Sequence, residues 1–257
     1  PNTCIRTLRA AQVQVSPNLQ SLAQKRIYFR KVTMYFCHAA DIWQEFPQLV
    51  AGLLIVDNIH PNVDAETRLQ PYYNRARERL RQGPESSLAE VSAWRRVYAQ
   101  MGLKPTQYRS AGEALLRRFR QEDDLPRLHP LVDLCNAISL AFALPVAVFD
   151  LMGVEGYLEV RHATGAETYL AFSGETEIPP AGEIIFADAA NHVHARRWTF
   201  RQSLRSTIRP ETRQALIVSE GMHESAAVDV PALIDALAAE IGALWAPPRY
   251  QTMLTAA

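Results

Sequence analysis

The sequence lacks the features that mark several large classes of protein. Its 257 residues include only three cysteines, and none has a CxxC spacing, which argues against a zinc cluster and a disulfide-held scaffold. No apolar run reaches the roughly 18 residues that a membrane helix needs. No basic, apolar and small-residue leader is visible either. We therefore expect a soluble, cytoplasmic protein that makes no contact with a membrane.

Glycine-rich phosphate loops are also absent, so we expect neither ATP use nor a dinucleotide, and no cofactor. The net charge is zero, so the charge of the whole molecule does not indicate nucleic-acid binding. Lysine is scarce, since only Lys25, Lys31 and Lys104 of the 27 basic residues are lysines. Arginine makes planar, bidentate contacts with phosphate that lysine does not make. The same bias is also typical of proteins from GC-rich genomes.

The N-terminal part, residues 1–104, is predicted to hold strands and an arginine-rich helical pair. The first 25 residues have weak periodicity, as an edge strand or a loose arm would. Two strands and two helices follow, at residues 31–36, 49–56, 64–82 and 87–101. The second strand, LVAGLLIV, is apolar throughout, like a strand covered on both faces. A capping box from Ser87 to Glu90 is predicted to begin the second helix.

The C-terminal part, residues 105–257, is predicted to form a core with a covering helix. A capping box at Ser110 and Glu113 begins a short helix, and a buried helix with proline in its first turn spans about 129–144. Two hairpins are predicted next, GYLEVRHA with ETYLAFS and EIIFAD with HVHARRWTF, and QALIVSE is predicted as the final strand. An amphipathic helix from about Asp229 is predicted to cover a sheet. We predict one continuous fold.

One polar side chain, Asn136, interrupts the apolar stretch HPLVDLCNAISLAFALPVAVFDL. Preceded by Leu125-Pro126-Arg127, this stretch resembles the signature of the tRNA-editing domain in the β subunit of phenylalanyl-tRNA synthetase and of its free-standing relatives. The matching residues are Asn136, Leu144-Pro145 and Phe149-Asp150-Leu151. The resemblance extends over about residues 105–220, and the first hundred residues fit only by position.

The resemblance implies a compact, mixed α/β domain in which a mixed sheet packed by helices lines a pocket. In that family, wrongly attached tyrosine is hydrolysed from the 3′ end of the tRNA. Asn136 would then contact the aminoacyl group or the terminal adenosine. Alternatively its amide ties the helix to a strand edge, because an unpaired buried amide costs about 1–3 kcal/mol. The other expected substrate-binding residues are Cys135, Val146, Ala147 and Phe149. A thiol in an apolar helix is also typical of simple packing.

Ala147 marks a departure from the family. The strand after the proline there carries a histidine that helps to position the hydrolytic water, and alanine cannot hold a water molecule. His192 and His194, an H-x-H pair on one face of a predicted strand, are candidate acid–base groups that would replace it. No third ligand is evident beside them, so no metal site is predicted. No residue of this sequence is matched to the editing glutamate of the family.

The stretch HARRWTFRQS combines guanidinium groups with aromatic rings. Arg196, Arg197, Trp198 and Arg201 are therefore candidate tRNA-binding residues, since phosphates pair with guanidinium groups and bases stack on rings in single-stranded RNA such as the acceptor end. If the stretch is a strand, Arg196 and Trp198 share one face. The alternative is an exposed arginine-rich strand with Trp198 in the core.

Three functions agree with these observations. The first is an aminoacyl-tRNA deacylase that edits mischarged tRNA in trans. The second is an aminoacyltransferase that moves the aminoacyl group to the amine of a small molecule, as in the tailoring of natural products. Ala147 favours it, because excluding water favours attack by an amine, and an aminoacyl ester needs no ATP. The third is a non-catalytic tRNA-binding module, which zero net charge disfavours. Alanine at position 147 would also enlarge the pocket for a bulky or aromatic amino acid.

Overall fold

A computed structural model describes residues 27–28 and 35–256 as a mixed α/β fold. The arm predicted for the first 25 residues lies outside the described residues, as do residues 31–34 of the first predicted strand. The strands are β1 (Ile27–Tyr28), β2 (Tyr35–His38), β3 (Val50–Asp57), β4 (Val146–Asp150), β5 (Tyr157–His162), β6 (Thr168–Leu170), β7 (Thr176–Glu177), β8 (Ile184–Asp188), β9 (His192–Arg196), β10 (Arg201–Gln202), β11 (Gln214–Gly221) and β12 (Tyr250–Thr255). The α-helices are α1 (Ala40–Glu45), α2 (Glu66–Arg81), α3 (Ala89–Gln100), α4 (Ala111–Glu122), α5 (Pro130–Phe142) and α6 (Ala226–Leu244).

Four antiparallel strands form sheet I, in the order β12, β3, β11 and β4. β3 comes from the N-terminal part, and its residues from Val50 to Val56 are buried, as the apolar run predicted. Its neighbours β11 and β12 come from the C-terminal part, so both parts contribute to one sheet. QALIVSE is not the final strand, because β12 follows α6 and pairs with β3. The predicted mixed α/β fold class is confirmed.

Sheet II is mixed, with the strand order β1, β2, β5, β8, β9, β6, β7, and β10 also pairs with β9. β2 runs parallel to β5 and β6 runs parallel to β9, whereas the other pairs are antiparallel. The predicted hairpin of β5 with β6 is wrong, because β8 and β9 lie between these two strands in the sheet. The second predicted hairpin, β8 with β9, is confirmed.

Sheet I is the middle layer of the fold. Side chains alternate along its strands, so Leu54 and Ile217 face a first core that α2, α5 and α6 complete. Leu53 and Val218 face a second core, which sheet II, α1 and α3 complete on the other side. This double covering explains why β3 is apolar on both faces. Among the described residues, no helix has both the length and the apolarity required to cross a bilayer.

The buried helix α5 begins and ends where its sequence predicts. His129 caps it, because its Nδ1 accepts a hydrogen bond from the backbone N–H of Leu131 at 3.2 Å, and Pro130 occupies the first turn. Ala143, with φ of 57°, ends the helix in the left-handed conformation. α6, which covers sheet I as predicted, starts at Ala226, three residues before the predicted start.

Only one of the two predicted capping boxes has its side-chain cap. Ser110 Oγ accepts a hydrogen bond from the backbone N–H of Glu113 at 3.3 Å and caps α4. The box at Ser87 is wrong, because α3 begins after Leu88 and has no side-chain cap. Ser87 Oγ instead donates to the carbonyl oxygen of Pro84, within a short 3₁₀ turn that precedes the helix.

Candidate functional site

A buried histidine–glutamate pair lies in the second core, between the two sheets. Nε2 of His38, the last residue of β2, lies 2.6 Å from Oε1 of Glu220, which lies near the end of β11. Their side chains are 0% and 3% exposed. Burying a carboxylate is costly unless hydrogen bonds compensate for the lost water.

Two indoles supply the compensating hydrogen bonds. Nε1 of Trp198 lies 3.0 Å from both carboxylate oxygens of Glu220. Nε1 of Trp94, on α3, donates to the backbone oxygen of Glu220 at 3.2 Å. The two indole rings meet edge to face, with centroids 5.3 Å apart. Glu220 is therefore held in one position by its contacts with His38, Trp94 and Trp198.

The second ring nitrogen of His38 is enclosed in the core, so it can act on a substrate only after a neighbouring side chain moves. Nδ1 is buried and has no hydrogen-bond partner among the described residues. If Nε2–H donates to Glu220, Nδ1 carries the lone pair and accepts a proton. A carboxylate behind an imidazole in this way fixes the tautomer that a general base requires. Trp43, a partly exposed ring on α1, packs on His38 with ring centroids 4.7 Å apart.

This pair lies on the same sheet face as the residue that departs from the family pattern. Ala147 of β4 is paired with Val218 of β11, and both side chains contact the second core. Glu220 is two residues beyond Val218 and therefore faces the same way. Glu220 thus lies diagonally across the sheet from Ala147, the position at which the resemblance to the synthetase domain implies a histidine.

Sequence analysis did not identify His38 or Glu220, although both follow the alternation of their strands. Leu216, Val218 and Glu220 alternate along β11 on the face of the second core. A charged residue at a position predicted to face inward is the signal that could have identified Glu220. His38 occupies the equivalent position two residues after the buried Phe36. The pairing of β2 with β5, which places His38 in the sheet, is not visible in the sequence.

The predicted acid–base residues His192 and His194 share one strand face, as expected, and both contact Asp188 Oδ2. His192 Nδ1 lies 3.2 Å from this oxygen and His194 Nε2 lies 3.1 Å from it. On the other side of the ring, His194 Nδ1 lies 2.9 Å from Ser206 Oγ. The result is a Ser–His–Asp chain that sequence analysis had not predicted. Ser206, His194 and Asp188 are all fully buried, so only His192, which is partly exposed, can be reached from solvent.

Burial governs the ionisation of this chain. It lowers the pKa of His194, although the Asp188 carboxylate acts in the opposite direction. Burial also works against the ionised form of Asp188. Hydrogen bonds from His194 and from the backbone N–H groups of His192 and Glu155 outweigh it and hold the pKa of Asp188 below its usual range. The neutral imidazole and the carboxylate are therefore structural partners at neutral pH.

The predicted substrate-binding residues fall on both faces of sheet I. Cys135 is buried in the first core, and burial raises the pKa of its thiol. Val146 also packs against the first core, whereas Ala147 and Phe149 contact the second core. Asn136 lies on α5, which covers the helical face; its side chain is partly exposed and makes no hydrogen bond to the described residues. One pocket in sheet I therefore cannot contain all five residues.

The arginines of the HARRWTFRQS stretch are largely paired with carboxylates. Nε and Nη2 of Arg196 each lie 2.8 Å from a carboxylate oxygen of Glu183, and Nη1 contacts Glu177. Glu177 also pairs with Arg201. Arg196 is 5% exposed, so its guanidinium has little surface to offer a phosphate.

The predicted long strand HVHARRWTF is wrong, because β9 ends at Arg196. Arg197 and Trp198 then adopt the left-handed conformation, with φ of 47° and 60°, which turns the chain. Trp198 consequently enters the core, and its ring has no exposed face on which a base could stack. Arg197 stays partly exposed at the turn.

A further polar cluster lies on the helical side of sheet I. Glu90, His223 and Asp229 place one potential ligand atom each within 4.8 Å of one another. His223 Nε2 lies 2.9 Å from Asp229 Oδ2, and Arg79 contacts Glu90 Oε1 at 2.6 Å. A similar group, Asp41, Glu45 and His162, is largely exposed. Both have the chemistry to hold a divalent cation, although the sequence predicted no metal site.

Comparison with known proteins decides the family. The sequence model of the B3/4 domain matches residues 93–229, which is just over half of the chain. The chain belongs to the B3/4 domain family. This agrees with the resemblance seen in the sequence, because the domain is found in the β subunit of phenylalanyl-tRNA synthetase. No curated protein matches this B3/4 chain.

One solved structure to which this chain is similar is an N-terminal fragment of the phenylalanyl-tRNA synthetase β subunit from Pyrococcus horikoshii. The identity to the B3/4 chain is 9%, and the TM-score is 0.39. The comparison covers 87% of this chain and 50% of the fragment. The B3/4 chain thus spans about half the length of that fragment.

Proposed function

We propose that this B3/4 chain hydrolyses the ester of an aminoacyl-tRNA, as a trans-editing deacylase that acts at the 3′ acceptor end. The observation that carries the proposal is the His38–Glu220 pair, whose unpartnered Nδ1 lies on the sheet face of Ala147. Membership of the B3/4 family and the motif around Asn136 support the choice of substrate. The pair takes the role that the family histidine has at the position of Ala147.

In this mechanism His38 is the general base. Nδ1 accepts a proton from water while the water oxygen attacks the ester carbonyl carbon, and Glu220 stabilises the resulting imidazolium through Nε2–H. The tetrahedral intermediate then breaks its bond to the ribose oxygen, which takes the proton back from Nδ1. The products are the free amino acid and tRNA with its terminal hydroxyl restored. Trp43 packs on His38, so this mechanism requires the Trp43 ring to move before water and the ester reach Nδ1.

The predicted substrate-binding residues contact different cores, which supports a pocket lined only by those on the side of His38. Ala147 and Phe149 lie on the face of His38, so they would contact the amino-acid side chain. Val146 faces the helices and lies outside that pocket. The small side chain of Ala147 leaves room for a bulky or aromatic amino acid. Asn136 would act from the helical side of sheet I, at the edge where its side chain is partly exposed.

Transfer to a small-molecule amine is the second candidate function. The burial of His38, together with alanine at position 147, favours it, because a site that holds little water lets an amine compete as the nucleophile. Nδ1 of His38 would then take a proton from the amine, and the product would be an amide. Binding of tRNA without catalysis is the third, and the carboxylate partners of Arg196 and Arg201 make it the weakest.

The test is a time course of ester loss from a panel of aminoacyl-tRNAs, with and without added small amines, for the wild type and His38→Gln. Glutamine keeps an N–H donor for Glu220 but has no basic nitrogen. We expect the variant to be about 10²- to 10⁴-fold slower. His162→Gln is the matched control, because it removes a partly exposed histidine that also contacts a glutamate, Glu45, at 2.9 Å.

Each outcome of this experiment supports or excludes one of the three candidate functions. Free amino acid released by the wild type and by His162→Gln, but not by His38→Gln, establishes the deacylase. An amide product that depends on His38 identifies the transferase. Equal rates for wild type and His38→Gln would show that His38 is not the base. Survival of every ester with every amine would leave only tRNA binding.

A further inference from the structure

Two arginines share one buried carboxylate at the start of α4. Glu113 is fully buried, and its Oε1 lies 3.0 Å from Arg95 Nη1 and 3.5 Å from Arg109 Nε. Oε2 of Glu113 and Nε of Arg109 have no hydrogen-bond partner among the described residues. The side chains of Arg95 and Arg109 are 28% and 31% exposed. The buried carboxylate of Glu113 therefore holds two partly exposed guanidinium groups at the protein surface.

A third guanidinium lies over two aromatic rings nearby. The guanidinium carbon of Arg197 is 4.6 Å from the ring centroid of Tyr108 and 5.5 Å from that of Phe200. Tyr108 is the neighbour of Arg109 in the chain, and its ring meets Phe200 edge to face at 5.4 Å. A backbone hydrogen bond from Ala111 N–H to Thr199 oxygen joins the two segments. Both rings are partly exposed.

The charge of this region is unbalanced. The carboxylate closest to Arg197 is that of Glu183, at 3.9 Å, and Glu183 already makes two hydrogen bonds to Arg196. Arg95 and Arg109 therefore share the carboxylate of Glu113, and Arg197 shares that of Glu183 with Arg196. Consecutive left-handed residues, which are costly outside glycine, hold Arg197 at the turn, and such strain is typical of functional sites.

We propose that Arg95, Arg109, Arg197, Tyr108 and Phe200, called here the arginine–aromatic surface, bind the single-stranded 3′ end of an RNA. Guanidinium groups pair with phosphates, and partly exposed rings provide stacking platforms for bases. Glu113 is a positioning residue that holds Arg95 and Arg109. This inference rests on the proposed function. It replaces Arg196, Trp198 and Arg201 as the predicted tRNA-binding residues and keeps Arg197.

The position of the surface agrees with that role. On α3, Trp94 reaches inward to Glu220 while the next residue, Arg95, reaches the surface. At the turn after β9, Trp198 reaches inward to the same Glu220 while Arg197 reaches the surface. The arginine–aromatic surface and the His38–Glu220 pair thus lie on opposite sides of the same two segments, α3 and the turn after β9. RNA bound on this surface would therefore lie on the outer side of the two segments whose inner side contacts Glu220.

The test is the affinity for an uncharged acceptor-stem RNA with a single-stranded CCA end, measured by fluorescence anisotropy at several salt concentrations. We expect Arg197→Gln and Tyr108→Ala each to bind about tenfold more weakly, and Arg197→Gln to reduce the salt dependence by about one phosphate contact. Tyr108→Phe keeps the ring and should bind like the wild type. Arg118→Gln is the matched control, an arginine that is 50% exposed on α4 and pairs with Glu122.

Two comparisons keep this inference separate from the proposed function. His38→Gln, which should lose deacylation, should bind the RNA like the wild type. A blunt stem without the CCA overhang should bind as weakly as Arg197→Gln does. Wild-type affinity of Arg197→Gln and Tyr108→Ala would overturn the inference even if the esters are hydrolysed, as would an equal loss in Arg118→Gln. Far-ultraviolet circular dichroism of each variant shows that it is folded.

Discussion

His38 Nε2 and Glu220 Oε1 lie 2.6 Å apart, although 181 residues separate them in the sequence and they belong to different sheets. The contact exists because sheet II packs on sheet I, so that the end of β2 faces the end of β11. The pair therefore forms only when the two sheets are packed together. A change that shifts one sheet relative to the other would alter the distance between His38 and Glu220 even if each strand kept its own structure.

The charge on Glu220 should be required for catalysis. Glu220→Gln keeps an acceptor for Trp198 Nε1 but no longer stabilises an imidazolium at His38. We expect single-turnover deacylation to slow by about 10²-fold, the lower end of the usual range for acid–base groups. The measurement is the rate at saturating protein with a cognate aminoacyl-tRNA. Near-ultraviolet circular dichroism of Trp94 and Trp198 serves as the control for packing, and wild-type rates would rule out a role for the carboxylate.

Asn136→Ala should leave stability unchanged or slightly raised. The side chain makes no hydrogen bond to the described residues, and alanine favours a helix more than asparagine does, by up to about 0.7 kcal/mol. Urea unfolding of the variant and the wild type measures this difference. A loss above about 1 kcal/mol would mean that the amide has a structural partner. With stability preserved, slower deacylation by Asn136→Ala would locate this amide at the substrate.

Acid should destabilise the fold through His194 and Asp188. Burial lowers the pKa of His194 below 6.5, so the unfolded chain takes up a proton first as the pH falls through that value. The pKa of Asp188 is also lowered, despite its burial, because hydrogen bonds favour the carboxylate. Its contribution to stability is complete above the unfolded pKa of about 3.9 and is lost as the pH falls towards the folded pKa. The free energy of unfolding should therefore decrease from pH 7 to pH 3.

Two variants check the assignment of this pH dependence. His194→Gln should flatten the slope of unfolding free energy between pH 7 and pH 5. His162→Gln should change the slope in the opposite direction. Burial opposes the charge of His162, but hydrogen bonds to Gly182 oxygen and Glu45 raise its pKa, so its contribution is complete below pH 6.5 and is lost as the pH rises. A His194→Gln slope identical to that of the wild type would contradict the assignment.

Gly52 allows α6 to pack closely on β3. A Cβ atom there would lie 2.3 Å from Cγ1 of Ile234, which is closer than any van der Waals contact allows. We expect Gly52→Ala to lower the free energy of unfolding by about 1–3 kcal/mol. Gly242→Ala is the control, because its Cβ would come no closer than 3.6 Å to Pro247 and should stabilise α6 by up to about 1 kcal/mol. Denaturant unfolding measures both, and equal effects would disprove the close approach.

Much of the local structure follows from short-range patterns. The helices α2, α4 and α5 appear where apolar periodicity, a Ser110 cap and an initial Pro130 predict them, because these signals act within a few residues. The apolar run of β3 likewise predicted a strand covered on both faces. The signature around Asn136 also indicated the family, since it is a contiguous motif.

The sequence by itself therefore determined the fold class, most of the elements and the family. Strand pairing and the candidate site were decided by tertiary structure. β5 and β6 looked like a hairpin because they are adjacent in sequence, yet each has long-range partners that no local signal specifies. Trp198 and Arg196 looked like RNA contacts because their types suit that role. The left-handed turn at Arg197 and Trp198 places Trp198 in the core. Glu183 and Glu177 neutralise the charge of Arg196. His38 meets Glu220 only where two sheets pack, because burial and contact between distant residues arise from the whole fold.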